Sequence, residues 1–138
     1  MVLGGNSYSA CQPSKGDRWP AAFCVFIRCG RKYVRVNYLD ISHIESVGNY
    51  VKFYVDGNSY LALFTIKSLV EQLPQQLFFK VNRGVVVNML HIHSFDKDGL
   101  ILNGGAEFSF GEDAYRNLLN VLPLLGRGNY QSQVKWPT

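Results

Sequence analysis

Arg83 is the side chain in this sequence most clearly set up to meet a ligand. It lies within Phe78-Phe79-Lys80-Val81-Asn82-Arg83-Gly84-Val85-Val86-Val87-Asn88. Phe79 and Val81 fall on one face of the first segment, with Lys80 and Asn82 on the other, which is the period of a strand. Arg83-Gly84 breaks that pattern, and Val85 to Val87 is a β-branched run suited to a buried strand. An arginine is thereby held at the tip of two apolar strands. Alone it reads as a solvated turn residue or as a side chain able to read a ligand. Asn49, in Gly48-Asn49 ahead of the alternating Tyr50 to Val55, is a second polar side chain of the same kind.

Other chemistry is sparse. His91 and His93 lie two apart on an expected strand face, as a metal pair could, but no third or fourth ligand is apparent and His43 is distant. Asp96 and Asp98 flank Lys97 before Gly99, which fits a solvated turn better than a paired-carboxylate site. There is no phosphate-binding Gly-rich loop, Gly-x-Ser-x-Gly elbow or Cys-His nucleophile pair. Ser109-Phe110-Gly111 precedes a helix without the flanking glycine of an elbow. No enzyme and no cofactor are expected. Cys11, Cys24 and Cys29 lack metal-ligand spacing, and an odd count without a secretion signal points to a reducing cytoplasm. Cys24 and Cys29 have opposite parity on one strand, as small apolar fillers.

With 138 residues, 47% hydrophobic and 17% charged, the chain holds one domain with a real core. Its Phe and Tyr content favours strands. A net charge of +4 permits an anionic partner. Between Arg28 and Arg83 the bases are Arg28, Arg31, Lys32, Arg35, Lys52, Lys67, Lys80 and Arg83, against Asp40, Glu45, Asp56 and Glu71. Such a stretch gives either a positive sheet face for phosphate or ordinary solubilising charge. No apolar run approaches the roughly 20 residues that span a bilayer, so no membrane partner is expected.

The elements that must position these side chains are mostly strands. Residues 1–21 read as a flexible leader or linker remnant, 22–125 as the domain and 126–138 as a loose tail. Strands are expected over Phe23–Arg28, Lys32–Val36, His43–Val47, Tyr50–Val55 and Asn58–Phe64, with hairpin turns at Gly48-Asn49 and Asp56-Gly57. Asn37 to Asp40 is a short turn. Thr65 caps a helix over Ile66–Leu73 that Pro74 closes. After the Arg83 segment and a corner at Met89-Leu90 come strands His91–Phe95, Gly99–Leu102 and Ala106–Phe110. A second helix is expected over Glu112–Leu122, with Glu112 and Asp113 suiting its N-terminal dipole.

Taken together these motifs resemble a known family. Ile41-Ser42-His43-Ile44-Glu45-Ser46-Val47-Gly48-Asn49-Tyr50-Val51 resembles the I-x-x-I-E-x-x-G-N-Y-V core of LytTR-type bacterial DNA-binding domains. Phe78 to Asn88 is similar to that family's F-F-R-x-H-R-S-x-x-V-N, and Thr65 to Pro74 to its T-L-K-x-L-E-x-x-L-P. The resemblance covers roughly Phe23 to Leu122.

It implies an elongated, mostly β domain of about ten short strands in small antiparallel sheets, with two short helices. It implies sequence-specific binding of double-stranded DNA by loops between strands, in a cytoplasmic transcriptional regulator of the response-regulator output type. Paired direct repeats bound by two protomers would be the target, and a separate receiver or sensor protein a further partner, since too little chain precedes the fold for a receiver. Asn49 falls at the first base-contacting loop, and Asn82 and Arg83 at the second. Asparagine suits adenine in the major groove, and arginine suits a narrow minor groove or phosphate. Lys80 and Lys52 beside these loops would meet phosphate. Two departures stand out. Gly84 replaces a usual serine. The third loop, Ser109-Phe110-Gly111-Glu112-Asp113-Ala114-Tyr115, carries acids where a base is usual, leaving Ser109 as its candidate contact. That acidic loop keeps open a different reading, a protein-interaction module derived from this fold that has lost DNA binding.

Overall fold

The computed structural model describes residues 24–126. The expected leader over 1–21, nearly all of the tail over 126–138, and Cys11 lie outside the described residues. Among the described residues, ten strands and two α-helices follow in order. Strands β1 (Cys24–Cys29) and β2 (Lys32–Asn37) form a hairpin, and a 3₁₀ turn (Tyr38–Asp40) leads to β3 (Ile41–Val47), β4 (Tyr50–Val55) and β5 (Asn58–Leu63). Helix α1 (Ile66–Gln72) precedes β6 (Phe78–Asn82) and β7 (Val85–Asn88). A second 3₁₀ turn (Met89–His91) opens β8 (Ile92–Asp96), β9 (Gly99–Leu102) and β10 (Glu107–Ser109), and α2 (Ala114–Val121) follows.

All these strand pairings are antiparallel, in a five-stranded sheet ordered β5-β4-β3-β7-β6, a three-stranded sheet ordered β10-β9-β8, and the β1-β2 hairpin. At β7 the five-stranded sheet is buried on both faces, Val86 facing one core and Val87 the other, which explains why β7 reads as an unbroken valine run. On one face Ile44, Val51, Phe53 and Val86 pack with Ile27 and Val36 of the hairpin and with Ile66 and Leu69 of α1. On the other, Val81 and Val87 pack with Leu100 and Leu102 of the small sheet and Leu118 of α2. Among the described residues no helix is long and apolar enough to cross a membrane.

Local chemistry accounts for the element ends. The Thr65 side chain accepts from the Ser68 amide at 3.1 Å, so it caps α1 as its type and position predict. Asp56 and Gly57 both have positive φ (49° and 88°), the backbone of a type I′ hairpin turn. Helix α2 begins at Ala114, two residues later than expected. Asp113 is its N-cap residue with φ 62° and makes no capping hydrogen bond. Its carboxylate instead accepts from Arg116 at 2.9 Å. His91 sits in a 3₁₀ turn with its Nε2 2.7 Å from the Leu39 carbonyl oxygen, so it does not share a strand face with His93. Cys24 is buried, and Cys29 packs against the first core.

Two buried polar residues join parts that are distant in sequence. Asn88 is wholly buried, and its Nδ2 donates to the carbonyls of Tyr38 (3.1 Å) and Ile41 (3.0 Å). Its Oδ1 accepts from the Leu90 amide at 2.9 Å. One side chain thus fixes the turn before β3 against the end of β7. His43 is the other. Its ring stacks on Tyr54 (centroids 4.2 Å apart, 9° between planes) and meets Phe108 at 5.0 Å. Ser42 Oγ lies 2.9 Å from its Nδ1. Burial pushes the imidazole pKa below its ordinary value of 6.5; nearby Glu45 opposes that shift and His91 reinforces it.

These packed polar groups should be visible in stability measurements. Asn88→Ala leaves two buried carbonyls and one amide without their partner, and should lower unfolding free energy by about 2–4 kcal/mol in urea titrations. For His43, the unfolded chain holds the proton more readily than the fold. Stability should therefore be full above pH 6.5 and fall as pH drops from there toward the lower folded-state value. Thermal melts from pH 7.5 to 5 should show that loss in the native chain and a smaller one in His43→Gln.

Candidate nucleic-acid interface

The Gly48-Asn49 turn joins β3 to β4, whose last pair is Val47 with Tyr50. Gly48 has φ +62° whereas Asn49 does not enter the positive region, the pattern of a type II′ turn with glycine first. Asn49 is exposed at its tip. The Arg83-Gly84 turn joins β6 to β7 beyond the pair Asn82 with Val85. Strand β7 lies beside β3, with Val85 opposite Glu45, and the Ser46 amide donates to the Gly84 carbonyl at 2.8 Å. The two polar turns therefore stand on neighbouring strands at one end of the sheet.

Asn82 sets the second turn. Its Oδ1 accepts from the Gly84 amide at 3.0 Å, and its Nδ2 donates to the Ser109 carbonyl at 2.9 Å. Both ends of the amide are thus engaged within the fold. The third loop is docked on the same strand. The Gly111 amide donates to the Val81 carbonyl at 2.8 Å, and a Cβ at Gly111 would lie 3.2 Å from Asn82 Cα. Glycine there lets the loop lie against β6. The residue types give no hint of this contact, beyond a glycine placed just before a helix.

Arg83 is different. Its side chain extends from the turn, and among the described residues its guanidinium meets no hydrogen-bond or ion-pair partner. All its donors are open to a ligand. Gly84 has no positive φ, and a Cβ added there would meet only Ser46 Cβ, at 3.6 Å. The backbone of this turn would accept the serine usual at this position, so glycine removes a hydroxyl without being needed for the turn.

The lysines divide between the two faces. Lys80 is exposed and pairs across the strands with Val86, which faces the first core. Lys52 pairs across from Glu45 on the opposite face, half-buried, with its ammonium 5.2 Å from the Tyr54 ring centroid. Tyr54 donates to Glu45 Oε1 at 2.9 Å. Its phenol pKa is raised, first by burial and then by that carboxylate, so it remains a donor. Ser109 ends β10, exposed, with its carbonyl held by Asn82. Beyond it stand Glu112 and Asp113, both exposed, and the base next in sequence, Arg116, is committed to Asp113. The described residues hold no cluster of three or more His, Cys, Asp or Glu that could bind a metal.

Comparison with known proteins identifies the family and the fold. The family model described as LytTr DNA-binding domain matches residues 31–122. A solved structure of a LytTr DNA-binding domain, from a Bacillus cereus protein described as a putative methyl-accepting/DNA response regulator, superposes with a TM-score of 0.64 at 14% identity. The match covers 74% of this chain and 98% of that one, and at such identity it speaks for the fold. No curated protein sequence matches the chain. Three motifs in order, the small antiparallel sheets and the match over residues 31–122 agree: the chain belongs to the LytTR family of DNA-binding domains.

Proposed function

We propose that this domain binds double-stranded DNA sequence-specifically, as part of a bacterial transcriptional regulator acting in the cytoplasm, with the two polar turns as its reading tips. The observation that carries the proposal is the pairing of β3 with β7, which sets exposed Asn49 beside an arginine with unused donors. Asn49 would pair with adenine through its amide in a major groove. Arg83 would reach a base edge or a narrow minor groove. Asn82, with its amide occupied, would hold the Arg83 turn in place and contribute to reading through that geometry. Lys80 and Lys52 would neutralise phosphates on either side of the sheet, and the Ser109 hydroxyl would supply what contact the third loop makes. Two protomers on paired direct repeats, switched by a receiver or sensor unit, fit this role.

Phosphate neutralisation makes binding salt-dependent, so affinities must be compared at one ionic strength. Duplexes selected from a random library and titrated by fluorescence anisotropy at fixed salt test the assignment. Arg83→Ala should weaken binding by about 1–3 kcal/mol; an unchanged affinity would exclude base reading by Arg83. Asn49→Ala should reorder the preferred sites, and an identical ranking would remove Asn49 from specificity. If no duplex is selected even at low salt, the domain is a protein-interaction module instead.

A further inference from the structure

The β1-β2 hairpin lies partly outside the stretch that matches the family, which begins at residue 31, and its charge is one-sided. Residues 24–37 hold Arg28, Arg31, Lys32 and Arg35 and no acid. Cross-strand pairing puts Arg28 opposite Tyr33 and Arg35 opposite Phe26, so two arginines and two aromatic rings share the outer face. Phe26 is 50% exposed and Tyr33 61%. The inner face, with Ile27, Val34 and Val36, packs on the first core, so the hairpin is seated on the sheet with Arg28 and Arg35 outward, while Lys32, opposite Cys29, is in the inner face's register at the exposed hairpin end.

At the hairpin end the cations are ordered or open. Arg28 Nε donates to the Gly30 carbonyl at 3.2 Å, and its guanidinium lies 5.7 Å from the Tyr33 ring centroid. Arg31 and Lys32 are exposed and have no side-chain partner among the described residues. Position matters as much as charge. Arg28, Gly30 and Tyr33 line a groove of about 810 Å³ whose other walls include Tyr50 and Leu63. Tyr50 directly follows Asn49, and Leu63 is its cross-strand partner. The groove therefore links the hairpin end to the start of β4, directly after the Gly48-Asn49 turn.

We infer that the hairpin is an additional phosphate-binding element, with Arg31 and Lys32 gripping the DNA backbone that flanks the bases met by the Gly48-Asn49 turn. This rests on the DNA-binding reading proposed above and adds to it a contact outside the family's reading loops. It also offsets the third loop, where Glu112 and Asp113 cannot neutralise phosphate. Contacts of this kind position the protein without choosing sequence.

The test is the slope of log affinity against log salt, measured with the full chain on its selected duplex. Arg31→Ala with Lys32→Ala should flatten that slope by roughly 0.9 for each phosphate no longer neutralised, while leaving the ranking of sites unchanged. Arg31→Glu with Lys32→Glu should weaken binding further. A matched variant, Asn58→Asp with Ser59→Asp, makes an equal charge change to the double alanine at the far end of β5 and should leave the slope close to native. Thermal melts confirm that each variant is folded. A native slope in both hairpin variants, or an equal change in the far-end variant, overturns the inference while the DNA-binding reading stands. A native chain that selects no duplex overturns both.

Discussion

The pairing of β3 with β7 is the constraint on which the rest of this molecule depends. These strands lie about forty positions apart in sequence, yet His43, Ile44 and Glu45 stand opposite Val87, Val86 and Val85. This pairing joins the β3-β4-β5 meander to the β6-β7 hairpin and makes one five-stranded sheet. It also sets the register of the two polar turns, because the Ser46 amide meets the Gly84 carbonyl at 2.8 Å. A shift of one residue along β7 would turn Val86 and Val87 to the wrong cores and move Arg83 relative to Asn49. Burial on both faces makes such a slip costly. The valines that specify the core thereby specify the spacing of the two polar turns.

Asparagine serves three different ends in this fold, and burial separates them. Asn88 is wholly buried and holds the turn before β3, so it acts on stability. Asn82 is half-buried and joins the second turn to the third loop, so it acts on geometry. Asn49 is exposed at a turn tip, with its amide available to a ligand. The difference follows from hydrogen-bond accounting. An amide satisfied inside the protein can address a base only by giving up an internal partner, whereas an exposed amide exchanges only water.

What is legible in the sequence is local. Gly48-Asn49, Asp56-Gly57, the Thr65 cap and the alternation of Tyr50 to Val55 each depend on a few neighbouring residues, and each stands where its chemistry puts it. Motif order makes the family visible as well. The sheet order is not legible, because nothing in β3 names β7 as its neighbour. By type and position His43 is a spare histidine; its stacking on Tyr54 and contact with Phe108 join three strands, one of them far away in sequence. Glu112 and Asp113 suit a helix dipole by type, which places the start of α2 two residues early. The chain instead enters the helix through a left-handed Asp113, whose carboxylate pairs with Arg116. Helix propensity does not register that the docking of Gly111 on β6 fixes where the helix can begin.

That docking bears on the electrostatics of the whole end of the domain. Because Gly111 is hydrogen-bonded to Val81, Glu112 and Asp113 are tied to the strand that leads into Arg83 rather than free to swing away. Pairing with Arg116 screens Asp113 only partly, since both side chains are largely exposed, Arg116 at 73% and Asp113 at 55%. A phosphate approaching from the third loop therefore meets negative charge, while one approaching the β1-β2 hairpin meets residues 24–37, which hold four cations and no acid. Affinity for a duplex is carried mainly by phosphate contacts and sequence preference by base contacts. On the proposed reading, the acids thus displace the phosphate grip away from the third loop and toward the β1-β2 side without altering what Asn49 and Arg83 can read.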